Sequence, residues 1–271
     1  MLADPGRAET TPNLFQYARR AGLATALFAG QAIKSWYYIS PFDLDAIDRY
    51  RGCREERPEV PDHLIDDVLI DEVVGWIAER PRTFSYLLKM GAHFPYAEKH
   101  PADFRPFDAG RFASESDPRR RQKLTEYCLA MSWGCDRFLE RLLTRLEGTD
   151  AIVVYTSDHG QSILEGGIEA THGVYRNPPR SQANVPIMIF ATSEAARRRL
   201  DERGRVAVEA NRDRASHFEL FATFLELMGY DRAAVAPHYG SSLFAPLPLR
   251  KRRFFSGDPF QRQGRALNDF D

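Results

Sequence analysis

Apolar positions along the chain switch between short unbroken runs and stretches with a 3.6-residue period, which predicts strands alternating with helices. Thr11 followed by Pro12 reads as an N-cap with proline at the first helical position; the helix would run to about Ala21 and end at Gly22. Ala24 to Ala29 reads as a short apolar strand. Residues 31 to 61 are mixed and aromatic-rich, with Trp36, Tyr37 and Tyr38 near a short helix at Pro41 to Tyr50 and a charged, proline-punctuated loop from Arg51 to Pro61. Asp62 is placed to cap a helix whose apolar positions are Leu64, Ile65, Val68, Leu69, Val73 and Trp76. Pro81 stops that helix, and Thr83 to Lys89 reads as a buried strand.

Residues near Asp117 to Leu146 carry the longest helical pattern, opened by the basic triplet Arg119, Arg120 and Arg121. Gly148 ends it, and Ala151 to Thr156 is the clearest strand. A loop rich in glycine and proline follows from Gly160 to Asn184, then a strand from Val185 to Ala191. Residues 194 to 203 read as an exposed helix. Ser216 and Glu219 form a capping box opening a helix to Met228, and Phe254-Phe255 marks an edge strand after a basic run. This alternation implies an α/β fold with a mainly parallel sheet and helices on both faces. Sites in such sheets gather in the loops beyond the carboxyl ends of strands.

Composition narrows the classes. With 271 residues and 43% hydrophobic residues, the chain can bury a sizeable core as a single domain, 1–271. Lys and Arg (37) nearly cancel Asp and Glu (38), so no global basic field points to nucleic acid as a partner. Three cysteines do not make a disulfide framework. Cys128 and Cys135 stand two helical turns apart, roughly 10 Å, beyond disulfide reach. No stretch approaches the roughly 18 apolar residues of a membrane span, and Met1 to Gly6 show no signal-peptide pattern.

Two strand ends carry suggestive polar residues. The strand at 152–156 runs into Ser157-Asp158-His159-Gly160, where adjacent carboxylate and imidazole groups suit a divalent metal such as zinc. An ordinary strand-end turn, with Gly160 permitting the bend, is the alternative. His172 follows thirteen residues after His159 in the same loop, and His93 follows the strand at 83–89. His63, His100, His217 and His238 lack this placement and read as structural, His100 least securely because it shares the His93 loop.

Several segments in order resemble one family. Gly91-Ala92-His93-Phe94-Pro95 is similar to Gly-Ser-His-Gly-Pro, and Ser157-Asp158-His159-Gly160-Gln161-Ser162 to Ser-Asp-His-Gly-Glu-Ser. Glu165-Gly166-Gly167 through His172-Gly173 is similar to the Glu-Asn-Gly and His-Gly pair, and Asn184-Val185-Pro186 to His-Val-Pro. Together, residues Tyr86 to Phe190 resemble the alkaline phosphatase and sulfatase superfamily, most closely the membrane-anchored phosphoethanolamine transferases. Looser likeness extends to Thr11–Gly22 and to Tyr239-Gly240-Ser241-Ser242-Leu243.

The resemblance implies a three-layer α/β/α alkaline-phosphatase-like fold with an N-terminal strand and helix missing. It implies Asp158 and His159 as zinc ligands, with His93 and His172 contacting the transferred phosphoryl group or helping to hold a second metal. The implied reaction is ping-pong, from a phospholipid donor through a phospho-enzyme to a hydroxyl of an envelope glycolipid or glycan, at the periplasmic face of the inner membrane. The family's hydroxyl nucleophile and a further acidic ligand lie upstream of the helix matching Thr11–Gly22. Thr10 and Thr11 read as capping residues rather than that nucleophile. The expectation is therefore an N-terminally truncated domain with a weak or partial zinc site, open also to other divalent metals. The alternatives are a sulfatase or phosphodiesterase hydrolase of the same superfamily, and a catalytically defective binding module.

Overall fold

The structure, a computed structural model, describes residues 11–32, 45–169, 171–174 and 177–249, and the backbone of two strands at 252–256 and 266–270. Contacts divide the chain into two compact units, residues 8–147 and, from Gly148 onward, residues 148–271.

In the first unit, β1 (Ala24–Ala29) lies between β2 (Arg49–Gly52) and β3 (Thr83–Leu88), and both neighbours run parallel to it. Ala26, Phe28 and Ala29 of β1 are fully buried, as the unbroken apolar run of a central parallel strand requires. The preceding helix α1 (Leu14–Arg20) is capped by Asn13 rather than Thr11. Asn13 Oδ1 accepts the Gln16 amide at 2.9 Å, and Gln16 Oε1 accepts the Asn13 amide at 3.0 Å. This reciprocal box satisfies two orphan donors at once, which no Thr11 cap would do here.

β2 occupies residues expected to end a helix and begin a loop; Pro41 to Leu44 of that expected helix lie outside the described residues. Long-range pairing decides the conformation. Buried Thr25 of β1 bonds Asp48 Oδ2 through its amide (2.8 Å) and hydroxyl (3.1 Å), and its hydroxyl also reaches the Ala46 carbonyl (2.7 Å). A polar, charged strand of four residues carries no apolar signature of its own. The expected loop beyond it holds a short helix, Cys53–Glu56.

α2 (Asp62–Glu79) has Pro61, not Asp62, at its N-cap. The Asp62 carboxylate instead pairs with Arg54 at 2.8 Å and with the buried Lys99. Its buried stripe is Ile65, Asp66, Leu69, Ile70, Val73 and Trp76, while Leu64 and Val68 are only half-buried. Each fully buried Ile or Leu contributes about 1.5–3 kcal/mol, so this stripe anchors the unit. β3 is half-buried, not buried: Tyr86 is 48% exposed.

The long helical pattern is α3 (Pro118–Met131) and α4 (Phe138–Arg145), joined by a π turn at Ser132–Arg137. The wider turn brings Gly134 against the loop after β3, where a Cβ would stand 3.1 Å from the Gly91 carbonyl carbon.

In the second unit, β4 (Ile152–Thr156) pairs with β5 (Ile187–Ala191). Against the mainly parallel expectation, this pair is antiparallel, with Thr156 opposite Ile187. The end of β4 and the start of β5 therefore lie side by side, and the loop between them begins and ends at one edge. α5 (Glu194–Arg203) is capped by Ser193, whose Oγ accepts the Ala196 amide at 3.0 Å. The Ser216–Glu219 capping box opens a 3₁₀ turn at His217–Glu219 that continues as α6 (Leu220–Leu227). The edge strand anticipated near Phe254 is β6 (Arg252–Ser256), paired antiparallel with β7 (Ala266–Phe270). The whole is an α/β fold built on a parallel sheet with helices.

Candidate active site

The last residue of β4 is Thr156, so the strand delivers Ser157, Asp158 and His159 at its carboxyl end. Ser157 Oγ donates to the His159 carbonyl at 2.7 Å, closing a tight turn. His159 Nδ1 lies 2.9 Å from the Gly160 carbonyl. A carbonyl only accepts, so Nδ1 is the donor in this contact, which leaves Nε2 outside it. That nitrogen stands 3.7 Å from Asp158 Oδ2 on a carboxylate that is 84% exposed. The other carboxylate oxygen is occupied locally, accepting the His159 amide at 3.0 Å.

Close approach, not a bend, explains Gly160. A Cβ there would fall 2.0 Å from the Ser181 carbonyl oxygen and 2.9 Å from that of Asn184. The Gly160 amide donates to the Gln182 carbonyl at 2.9 Å, tying the turn after β4 to the short helix Arg180–Ala183. The fully buried Gln182 side chain then ties in the middle of the loop. Its Nε2 donates to Ser162 Oγ at 2.8 Å, and its Oε1 accepts the Val174 amide at 3.3 Å. The Ser162 amide donates to the Thr171 carbonyl at 2.8 Å. These bonds bring His172 over His159: the rings stack with centroids 4.0 Å apart and planes 14° apart.

His217, read from sequence as structural, also sits at this strand end. Its Nε2 is 2.9 Å from Thr156 Oγ1. The single proton of that hydroxyl points to the Pro186 carbonyl at 2.8 Å, so His217 Nε2–H is the donor to Thr156. Desolvation holds the His217 pKa below its ordinary value, against the opposing pull of the Asp158 charge and of a bond to the Ser157 main chain. Only the folded chain reveals this residue, because it approaches from a turn sixty-one positions along the sequence.

Asp158, His159 and His172 thus come together within the second unit, joined by His217. His93 belongs to the first unit, exposed on the turn after β3, with Nδ1 2.7 Å from the Phe94 carbonyl. His63 packs edge-on against Trp133, and its carbonyl accepts the indole N–H at 2.5 Å. His100 is buried, with Nδ1 bonded to the Pro101 carbonyl at 2.9 Å. His238 packs obliquely beside Tyr239.

Zinc sites take three or four protein ligands. Asp158 Oδ2 and His159 Nε2 are two donors of the right chemistry facing one region. Among the described residues no group of three or more His, Cys, Asp or Glu side chains could hold a metal ion. Asp158 and His159 are thus a pair of adjacent potential donors among the described residues.

The Sulfatase family pattern matches residues 2–230, and the chain belongs to that family. The chain is 27% identical over 237 residues to the Kdo(2)-lipid A phosphoethanolamine 7''-transferase of Salmonella typhimurium, covering 84% of this chain and 40% of that relative. The C-terminal periplasmic domain of EcEptC from Escherichia coli shares the fold with a TM-score of 0.67 and 18% identity, over 96% of this chain and 71% of that one. The same domain is known in complex with zinc. The integral membrane lipooligosaccharide phosphoethanolamine transferase A of Neisseria meningitidis matches with a TM-score of 0.62 and 22% identity, over 83% of this chain and 42% of its own. Among the described residues no helix is long and apolar enough to cross a membrane.

Proposed function

We propose that the protein is a phosphoethanolamine transferase, moving that group from a phospholipid to a hydroxyl of an envelope glycolipid or glycan at the periplasmic face of the inner membrane. The observation that carries the reading is the convergence of Asp158, His159 and His172 at the end of β4. The Salmonella relative, named for transfer to lipid A, supports the substrate class. The continuous family match over residues 2–230 supports one sulfatase-like domain embracing both units.

In this reading Asp158 and His159 would hold zinc or another divalent cation, which would supply charge neutralisation at the phosphoryl oxygens. His172 donates to a phosphoryl oxygen as charge accumulates there, and the family-like Gly91–Pro95 turn supports a phosphoryl contact for His93. The group passes by a ping-pong route through an enzyme hydroxyl; neither that hydroxyl nor a further acidic ligand is assigned to a described residue. Gly160, Gln182 and His217 orient the β4 end and its loop. A hydrolase would use similar residues, and the Salmonella and Neisseria relatives, both named as transferases, lend it no support.

The test is expression of the protein in a Gram-negative host whose envelope glycolipids lack phosphoethanolamine, followed by mass spectrometry of those lipids. A gain of one phosphoethanolamine per acceptor, lost with His172→Ala, is expected. Release of free phosphoethanolamine with unmodified lipids would replace this reading with the hydrolase.

A further inference from the structure

Asp66 is an acidic residue on the buried stripe of α2, its side chain 11% exposed. A carboxylate in that position is costly unless paired and fully hydrogen-bonded. Its partners all lie at the end of β3. Oδ1 accepts the Met90 amide at 2.8 Å, and Oδ2 accepts the Gly91 amide at 2.9 Å. Lys89, itself 13% exposed, brings its ammonium to 3.3 Å from Oδ2. The same ammonium donates to the Gly134 carbonyl in the π turn and lies 4.1 Å from the centre of the Phe138 ring. One carboxylate thus holds three consecutive residues, Lys89, Met90 and Gly91, separated from His93 by Ala92 alone.

The surroundings are shaped for this clamp. At Gly30, just beyond β1, a Cβ would meet the Met90 amide nitrogen at 3.1 Å and Asp66 Oδ1 at 3.2 Å. The π turn places Gly134 against Gly91, so α2, β1 and the α3–α4 segment all close on the same turn. Among the described residues His93 makes only local bonds by comparison: its amide reaches the Met90 carbonyl at 3.3 Å and its ring the adjacent Phe94 carbonyl. Its orientation is inherited from the residues that Asp66 holds.

We propose that Asp66, with Lys89, is the positioning residue for His93: it fixes the main chain of the turn so that His93 Nε2 is presented in one orientation. That this serves phosphoryl contact rests on the transferase reading; the positioning does not. Asp66 touches no substrate. Its carboxylate does for the turn what the N–H groups of a helix start demand of a cap, at a place where no helix begins.

The experiment is NMR on the 271-residue chain, free of ligand, so that its outcome is independent of transferase activity. Amide hydrogen exchange at Met90 and Gly91 is expected to be protected in the unsubstituted chain. Asp66→Ala should speed it by about 10- to 100-fold, as loss of a charge-assisted bond implies. Asp66→Asn retains one acceptor and should deprotect one of the two amides only. The His93 ring resonances should move towards motionally averaged values in Asp66→Ala, while those of His159 and His172 stay in place. Unchanged His93 resonances in a folded Asp66→Ala chain would overturn the proposal. Should that variant not fold, exchange of both amides at the rate of an open loop in the unsubstituted chain would overturn it equally. Titration with O-phosphoethanolamine then tests the functional clause: His93 should respond less in Asp66→Asn than in the parent.

Discussion

The imidazole rings of His159 and His172 lie face to face, 4.0 Å between centroids, although twelve residues of loop separate them. Neither ring holds the other unaided. The stack depends on Gln182, which grips both halves of the loop through Ser162 and Val174. Gln182→Ala deletes both side-chain bonds in a fully buried position and should cost about 1–3 kcal/mol. Urea denaturation measures that cost. The His172 ring resonances of the folded variant should lose the upfield shift that stacking imposes.

Gly160→Ala should be more damaging than its single methyl suggests. The added carbon would overlap the Ser181 carbonyl oxygen, and both are backbone-anchored. Relief requires the turn after β4 to move away from Arg180–Ala183, at a cost of about 1–3 kcal/mol or more. The expected outcome is a lower melting temperature together with displaced Asp158 and His159 signals. A variant as stable as the parent would contradict the packing described.

His217 gives the stability an acid limb. Its folded pKa lies below the ordinary value of 6.5, chiefly through desolvation. The unfolded chain therefore binds this proton first as pH falls, so stability declines below about pH 6.5 and is level above it. His217→Gln can keep a donor to Thr156 while removing the titration. A plot of melting temperature against pH should be flatter for the variant between about pH 5 and 7.

Cys53 offers an independent check on the first unit. Burial, reinforced by the charges of Glu72 and Glu56, pushes its thiol up to about 11. At pH 8 only about a thousandth of it is thiolate, against about a quarter for an ordinary cysteine. Peptide-resolved alkylation of the native chain should find Cys53 slower by roughly 100-fold than after denaturation.

Much of this architecture is legible in the residues themselves. The apolar runs of β1, β4 and β5, the period of α2, the Ser216 capping box and the Asp158-His159 pair are all readable locally. What is not readable depends on distant partners. β2 is a strand because Asp48 and Ala46 bond Thr25, which its own polar residues do not announce. The π turn exists where Gly134 meets Gly91, forty-three positions away in sequence. The antiparallel register of β4 and β5 decides that Pro186 and Thr156 are neighbours, and with them His217. At α1 the cap moved two residues because Asn13 has Gln16 to answer it and Thr11 does not.

The central claim is that Asp158, His159 and His172 form one phosphoryl-handling cluster, and histidine-resolved NMR of the purified chain tests it most directly. With zinc and O-phosphoethanolamine added together, the rings of His159 and His172 should shift in concert. A pair of ligands holds zinc only weakly, so the shifts should grow gradually, in fast exchange. Asp158→Ala should abolish them. Tight stoichiometric zinc binding untouched by Asp158→Ala, or ring signals indifferent to both additions, would contradict the account.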